Sequence, residues 1–395
     1  MRARGAVAFG AALTAFLCLG LWLGGHPANL PGFLRDPFVS SPAGLTAEAA
    51  EAIQDNYWRP VGSTELGNAS LQGMVRELRR RHRDRFSDYF SPRALEAFNQ
   101  GIEGRFSGIG ISVVPVKRGL EAVKVYRGSP AERAGIEPGE VIVSVEGRSI
   151  AGEDSTAATE RIKGPEGTRV TIGLLEPKSG KVRRKTLTRA EVSLPNVSGR
   201  VEKANGREIG YVRMLSFSEG VHAQLERAVR KVEREGAKAI VLDLRKNPGG
   251  LLDEAVSSAG VFLPEGEVVV STRSRTQGDS VHKTGGGNLP PRPLVVLIDR
   301  NTASAAEILT AALADDGGAT VVGTRSFGKG VFQEEQDLAN GGALKLTVGE
   351  FFTPKGVNLA RSHGIHPSVK VADDPHTAVD EALRRALRVA AVRAE

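Results

Sequence analysis

A serine, a lysine and a glutamine occur in one short stretch of the 395-residue chain, and together they could hydrolyse an amide. Ser304 lies shortly after an apolar run, Leu294–Ile298, and just before a run of small residues that begins at Ala305. Lys329 stands between two glycines, and Gln333 follows four residues later. A serine hydroxyl attacks an amide only when a base accepts its proton, and a desolvated lysine can act as that base. The spacing therefore predicts a serine nucleophile with a lysine base.

Each of these residues also has a purely structural interpretation. Ser304 and Glu307 form a capping-box pattern before an apolar helix, so Ser304 could simply cap that helix, unless Thr302 does so. The glycines beside Lys329 would let other backbone approach closely and help to bury the ammonium, whereas an exposed glycine turn would leave it in water. Gln333 shares a strand face with Lys329, and its amide could orient the amine.

A second motif could stabilise the negative charge that develops on an amide oxygen during attack. Residues 243–250 read D-L-R-K-N-P-G-G, after an apolar run and before a predicted helix. The two glycines could direct backbone N–H groups at an oxyanion, although a turn that merely needs positive φ would also select them. The loop lacks the Gly-Lys-Ser/Thr ending of a Walker phosphate loop, which argues against nucleotide binding.

The histidines and the other serines indicate no competing chemistry. His363 and His366 have the spacing of two metal ligands only on a helix, and Gly364 and Pro367 argue against a helix, so no metal site is predicted. No serine stands in the G-x-S-G-G context that a trypsin-like protease would require. The single cysteine, Cys18, can form no disulfide within the chain.

The predicted elements change in character along the chain. Residues 45–103 have helical patterns, whereas residues 104–190 have short β-like runs separated by glycine and proline turns. Residues 191–372 alternate strands with helices, which predicts a layered α/β core. Residues 373–395 are expected to form a basic C-terminal helix that starts at Asp374.

Residues 104–190 resemble a PDZ domain, because they contain the string G-S-P-A-E-R-A-G-I-E-P-G-E-V-I-V-S-V-E-G, which begins at Gly128. Gly108, Ile109, Gly110 and Ile111 lie where such domains carry the loop that binds a terminal carboxylate. Glycines let successive backbone N–H groups converge on a carboxylate, and the following strand edge can accept an extended peptide. The resemblance implies that this domain captures the C-termini of proteins.

The complete pattern resembles the carboxy-terminal processing peptidases, also called tail-specific proteases. It runs from a helical N-terminal segment through an inserted PDZ domain to D-L-R-x-N-P-G-G, a serine at a strand-to-helix turn and G-K-G-x-x-Q. The resemblance implies a ClpP/crotonase-like protease core in which Ser304 is the nucleophile, Lys329 the general base and Gln333 the residue that positions the lysine. It places the oxyanion hole at the backbone N–H groups of Ala305 and of Gly249 or Gly250.

Three positions depart from the family pattern, and none of them belongs to the expected Ser-Lys dyad. Arg85 replaces a proline, Lys246 stands where asparagine is common, and Ser368 stands where an aspartate often occurs. The resemblance implies no cofactor. It also implies a PDZ domain that gates the site and terminal helices that support a homodimer, and it leaves open whether an adaptor protein takes part.

The N-terminus predicts export from the cytoplasm. Residues 5–25 carry no charge and follow Arg2 and Arg4, which is the order of an export signal. These 21 residues are long enough to span a bilayer, so an inner-membrane anchor that leaves the body in the periplasm or outside the cell is expected. A cleaved signal peptide is the alternative, and residues 26–44 are predicted to be a linker.

The net charge of +7 includes an arginine-rich run between Arg76 and Arg85. No nucleic-acid-binding motif and no interleaved aromatic residues accompany this run, so no nucleic-acid partner is expected. A solvated helix face is the simplest interpretation, and a contact with anionic lipid is the alternative.

From the sequence we therefore expect an exported, membrane-anchored serine endopeptidase of the Ser-Lys type. One rival interpretation is a catalytically silent PDZ scaffold that only binds protein C-termini. Another is a signal-peptide peptidase with a Ser-Lys dyad, which has no reason to carry a PDZ domain.

Overall fold

The computed structural model describes residues 42–394, apart from residues 104, 177–178, 194–195, 287–288, 375–376 and 378. The predicted membrane segment at residues 5–25 and nearly all of the predicted linker lie outside the described residues. Within the described part of the chain, no helix is long and apolar enough to cross a membrane. The chain divides into two compact units, one with the residues up to Ser91 and Glu335–Leu346, the other with Pro92–Glu334 and Thr347–Glu395.

The first unit contains two helices in the region of predicted helical pattern, α1 (Pro42–Asn56) and α2 (Ser63–His82), followed by a short strand, β1 (Asp88–Phe90). This strand pairs antiparallel with the beginning of β18 (Ala343–Phe352). Part of the arginine run lies on the exposed last turns of α2, where Glu77 forms ion pairs with Arg80 and Arg81. Charged side chains on this face of α2 are therefore in contact with solvent.

The second unit opens with a helix, α3 (Pro92–Ile102), and continues with a β-rich domain. The elements of that domain are, in chain order, β2 (Arg105–Gly108), β3 (Ile111–Val116), β4 (Gly119–Val125), α4 (Pro130–Arg133), β5 (Val141–Val145), β6 (Arg148–Ser149), α5 (Ser155–Ile162), β7 (Arg169–Leu175), β8 (Val182–Thr188) and β9 (Ala190–Ser193). One antiparallel sheet has the order β3-β4-β5-β7-β8, with β6 beside β5, and β2 pairs separately with β9. In this sheet β3 is an edge strand.

The rest of the second unit is built around a six-stranded sheet. The remaining elements are, in chain order, β10 (Val197–Ala204), β11 (Arg207–Met214), α6 (Val221–Arg234), β12 (Ala239–Asp243), α7 (Leu252–Ala259), β13 (Val268–Ser274), β14 (Gly278–Lys283), β15 (Leu294–Ile298), α8 (Ala305–Asp315), β16 (Thr320–Gly323), β17 (Val331–Asp337), β18, β19 (Val369–Lys370) and α9 (Glu381–Arg393). The sheet order is β10-β11-β12-β15-β16-β19, and each neighbouring pair except β10 with β11 is parallel. Strands β13, β14, β17 and β18 belong to a separate sheet.

Helices cover both faces of the six-stranded sheet. All five residues of β12 and of β15 are buried, as expected of parallel strands that are covered on both sides. On one face, Ile240 and Val296 pack with the apolar side chains of α6, α7 and α8. On the other face, Val241 and Val295 pack with α9. This arrangement confirms the predicted layered α/β core.

The C-terminal helix begins later than the sequence predicted. It starts at Glu381 rather than at Asp374, because the carboxylate of Asp380 accepts the N–H of Leu383 and caps the helix there. The same carboxylate pairs with the guanidinium of Arg245, so the start of α9 is fixed to the 243–250 loop.

Parallel pairing brings the segments that the sequence singled out to one edge of the sheet. The 243–250 loop follows β12, Ser304 follows β15, and Lys329 follows β16. Since the carboxyl ends of neighbouring parallel strands lie side by side, their loops form one continuous surface, which is where α/β folds usually bind ligands.

Candidate active site

Ser304 lies at a strained turn at the start of α8. Its φ of 54° and ψ of −122° fall outside the regions that L-residues ordinarily occupy. Such a conformation costs about 1–3 kcal/mol and persists only where the surrounding structure enforces it. A sharp strand-to-helix turn of this kind presents a serine hydroxyl at a helix N-terminus in other hydrolases. The residue is half-buried.

The contacts that enforce this turn converge on Glu307, which is fully buried. Its carboxylate accepts the N–H of Ser304 at 2.9 Å, as in the predicted capping box. It also accepts the N–H of Lys329 at 2.9 Å, the N–H of Gly328 at 2.7 Å and the hydroxyl of Ser326. Burial raises the pKa of Glu307, although these four hydrogen bonds oppose the shift. One carboxylate thus connects residues 326–329, the lysine loop, to the turn at Ser304, the serine turn.

Thr302 does not cap α8, so the suggestion that it could replace Ser304 in that role is wrong. The Thr302 hydroxyl donates to the carbonyl of Leu244 at 2.8 Å and accepts the N–H of Asp299 at 3.0 Å. These bonds tie the segment before the serine to the end of β12. Ser304 is itself the N-cap residue of α8, a structural role that leaves a chemical role open.

The structure brings Lys329 and Gln333 into contact. The lysine Nζ donates to Oε1 of Gln333 at 2.6 Å, and Nε2 of Gln333 lies 3.2 Å from Oγ1 of Thr347, to which it donates. Gln333 lies on β17 and Thr347 on its partner strand β18, so the pairing of two strands fixes the acceptor that the amine faces. Lys329 itself is half-buried.

Close packing, rather than an exposed turn, accounts for the two glycines beside Lys329. Gly328 has a φ of 86°, and a Cβ at this position would lie 2.9 Å from the backbone N of Gly364. A Cβ on Gly330 would overlap the side chain of Asn358. Asn358 is buried and donates through Nδ2 to the carbonyl of Gly330 at 2.8 Å. The lysine loop is therefore held against residues 358–364.

The 243–250 loop lies directly beside the serine turn. A Cβ on Gly249 would lie 2.8 Å from the Cβ of Ser304 and 2.9 Å from the backbone N of Ala305, so only glycine fits. The N–H of Gly249 donates to Oδ1 of Asn247 at 2.9 Å and is therefore engaged. The N–H groups of Gly250 and Ala305, in contrast, have no hydrogen-bond partner among the described residues.

Buried and backbone hydrogen bonds hold this loop in place. Asn247 is fully buried; its Nδ2 donates to the carbonyl of Met214 at 3.1 Å, and its own carbonyl accepts the N–H of Ala303 at 3.0 Å. Lys246, which departs from the family pattern, has an exposed side chain, and its N–H donates to Asp299 at 2.9 Å. The loop is thus fixed to the end of β11 and to the segment before Ser304.

An ion-pair network lies at the base of the same loop. The fully buried Asp243 pairs with Arg245 at 2.8 Å, and Arg245 also pairs with Asp380 at 2.8 Å. Burial lowers the pKa of Arg245, but the hydrogen bonds to the two carboxylates outweigh it and raise the pKa above its usual value. The hydroxyl of Tyr211 donates to Asp243 at 2.8 Å, and burial followed by the charge of Asp243 raises the pKa of Tyr211 to about 12.

The predicted carboxylate-binding loop lies at the start of an edge strand in the β-rich domain. Gly108 ends β2 and Ile111 begins β3. Between them, Ile109 is buried, and Gly110 has a φ of 77° with no space for a Cβ against Ser129. All four residues therefore lie at the junction between the β2–β9 pair and the edge strand β3.

The histidines considered as metal ligands lie in a turn rather than on a helix. Gly364, between them, has a φ of 94°, which is incompatible with a helix. In the described part of the chain, no group of three or more His, Cys, Asp or Glu side chains is arranged to hold a metal ion.

Sequence reasoning missed most of the residues that position the site. It recognised Glu307 as half of a capping box but not as the acceptor that joins two loops, and it did not single out Asn247 or Asn358. A signal existed for Glu307, because a carboxylate within an apolar helix must find hydrogen-bond donors. No comparable signal marks Asn358, whose partners depend on long-range packing.

Replacing Glu307 by glutamine should lower the free energy of unfolding by about 1–3 kcal/mol, because one carboxylate oxygen becomes an NH2 group that faces buried donors. Unfolding of the full chain in guanidinium would measure this loss. Glu350→Gln is the control, since that carboxylate pairs with Arg361 near the surface. Equal stability of the two variants would contradict the role assigned to Glu307.

Comparisons with known proteins identify both domains. Residues 208–371 match the model of peptidase family S41, and residues 121–176 match the model of a PDZ domain. The solved structure of a photosystem II D1 C-terminal processing protease is similar, with a TM-score of 0.50 and 27% sequence identity; the match covers 89% of this chain and 92% of that one.

Two curated relatives bear the name probable CtpA-like serine protease. The one from Staphylococcus saprophyticus is 31% identical over 332 residues, which are 84% of this chain and 65% of the relative. The one from Staphylococcus aureus is 33% identical over 324 residues, which are 81% of this chain and 62% of the relative. The chain thus spans slightly less than two thirds of the length of these relatives. The predicted resemblance to carboxy-terminal processing peptidases is confirmed: residues 208–371 match peptidase family S41, residues 121–176 match a PDZ domain, and the similar curated proteins are named as CtpA-like serine proteases.

Proposed function

We propose that this protein is a serine endopeptidase in which Ser304 is the nucleophile and Lys329 the general base. The observation that carries the proposal is the carboxylate of Glu307, which accepts the backbone N–H groups of both residues at 2.9 Å. A nucleophile and a base on separate loops are thereby held at one buried group. Gln333 would orient the lysine amine through the hydrogen bond of 2.6 Å to Nζ.

The proposed reaction proceeds through an acyl-enzyme. The Ser304 hydroxyl attacks the substrate carbonyl while Lys329 accepts its proton and then passes it to the departing amine. Water, deprotonated by the same lysine, releases the acyl group. The negative charge on the carbonyl oxygen would be stabilised by the N–H groups of Ala305, at the N-terminus of α8, and of Gly250, because that of Gly249 is already engaged.

The PDZ domain would supply the substrate by binding a free protein C-terminus. A carboxylate at residues Gly108 to Ile111 would meet backbone N–H groups, and the preceding residues of the substrate could pair with the free edge of β3. The similar solved structure is named for the C-terminal processing of D1. By analogy, the substrates here would be proteins with flexible C-terminal tails.

Several features of the whole protein belong to the same proposal. The N-terminal segment would anchor the chain in the inner membrane, so the protease would act on exported proteins in the periplasm or outside the cell. The terminal helices would support a homodimer, and an adaptor protein could deliver substrates. The PDZ domain would gate the site. None of these features is needed for the chemistry of the dyad.

Replacing Ser304 or Lys329 by alanine should lower the rate of peptide cleavage by at least about a thousandfold, because both groups take part in the same bond-forming step. The assay would use the full chain with an unstructured reporter that ends in small apolar residues, and mass spectrometry would identify the fragments. Ser280→Ala and Lys283→Ala, on the exposed strand β14, are matched controls that should cleave normally. Reporter binding without cleavage by the wild type would support a silent PDZ scaffold instead.

The rate of cleavage should increase between pH 6 and 9, because the base must lose its proton before it can accept one from Ser304. The pH profile of kcat/KM, measured where chemistry limits the rate, would test this expectation. A flat profile would contradict a titrating lysine base.

A further inference from the structure

Two large apolar side chains are exposed at the sheet edge that carries the candidate active site. Leu215 and Phe327 are each 45% exposed. Leu215 follows β11 directly, and Phe327 lies in the lysine loop between a buried serine and Gly328. Single exposed apolar residues are common on protein surfaces, so exposure alone assigns them no role. What distinguishes them is that hydrogen bonds hold their segments to the 243–250 loop and to the segment before Ser304.

Phe327 is fixed beside the serine turn. Its N–H donates to the carbonyl of Thr302 at 3.0 Å, two residues before Ser304. The next residue, Gly328, donates to the buried carboxylate of Glu307 at 2.7 Å. The backbone of Phe327 and of Gly328 is therefore held to the segment around Ser304, while 45% of the surface of Phe327 is exposed.

The segment that contains Leu215 is fixed in a similar way beside the 243–250 loop. The carbonyl of the preceding Met214 accepts Nδ2 of Asn247 at 3.1 Å. Two residues after Leu215, the N–H of Phe217 donates to the carbonyl of Gly249 at 2.9 Å. The carbonyl of Phe217 accepts the N–H of Leu251 at 2.8 Å. Three hydrogen bonds thus join the segment around Leu215 to the loop that contains Gly250.

The strand order places the segments that carry Leu215 and Phe327 after strands on either side of the strand that precedes Ser304. Strands β11, β12, β15 and β16 are consecutive in the sheet; Leu215 follows the first, Ser304 the third and Phe327 the last. Three intervals of about 4.8 Å separate the outer strands by about 14 Å. An extended chain advances about 3.3 Å per residue, so about four substrate residues would cover this distance.

We propose that Leu215 and Phe327 are substrate-contacting residues that determine specificity, each receiving an apolar side chain of an unfolded substrate on one side of the scissile bond. This inference rests on the proposed peptidase function and specifies its substrate class: extended segments with apolar residues on both sides of the cleavage point. The favourable step is the removal of apolar surface from water on both partners.

Matched peptides test the proposal with the full-length protein. In each pair, one position within four residues of the cleavage site is leucine in one peptide and serine in the other. Leu215→Ser and Phe327→Ser should each reduce the preference for leucine in kcat/KM by about tenfold, mainly through KM, and each on a different side of the cleavage site. Val281→Ser, an equally simple change at a 58%-exposed position on β14, should leave the preference unaltered. Unaltered preferences in both site variants, with normal cleavage, would overturn the inference and leave the peptidase proposal intact.

A binding measurement separates this inference from the reaction itself. Peptides that carry a photo-crosslinking group in place of each flanking leucine are irradiated with the Ser304→Ala protein, and the attachment sites are mapped by mass spectrometry. Attachment near residues 215 and 327 is expected, and it would support the contact site even if the wild type cleaved nothing. Attachment confined to other regions of the chain would overturn the inference.

Discussion

The buried carboxylate of Glu307 is the interaction on which the active-site arrangement depends. A carboxylate removed from water is stable only when several donors surround it, and here the donors come from two different loops. The free energy that would be lost by leaving this carboxylate unpaired is therefore available to hold Ser304 in its strained conformation and Lys329 beside it. Strain at Ser304 and order in the loop that carries Lys329 have one common cause.

The sheet supplies the frame in which that carboxylate can act. Parallel strands β12, β15 and β16 end at the same edge, so the 243–250 loop and the segments that carry Ser304 and Lys329 are neighbours in the fold. The contacts then fix each loop: Asn247 holds the first loop to β11, Thr302 holds the second to β12, and Asn358 holds the third to residues 358–364. The proposed chemistry assigns its main roles to the half-buried Ser304 and Lys329, which the second and third loops carry.

The sequence predicted the layers of the fold and most of their strands, because the apolar runs of β12 and β15 and the glycine turns of the PDZ domain are local patterns. It also brought Ser304, Lys329 and Gln333 to attention as a group. It left Gly249 and Gly250 as alternatives, since it could not show that the side chain of Asn247 accepts the N–H of Gly249. The later start of α9 escaped prediction for a similar reason: Asp380 is fixed by Arg245, 135 residues away in the chain.

The central claim is that Ser304 and Lys329 act as one unit on the reacting bond. The most direct test compares cleavage rates of the two single alanine variants with the rate of the double variant. When two groups serve the same step, removing both lowers the cleavage rate little more than removing one. The double variant should therefore be about as slow as either single variant. Losses that multiply in the double variant would show that the two residues act independently, and would contradict the Ser-Lys mechanism.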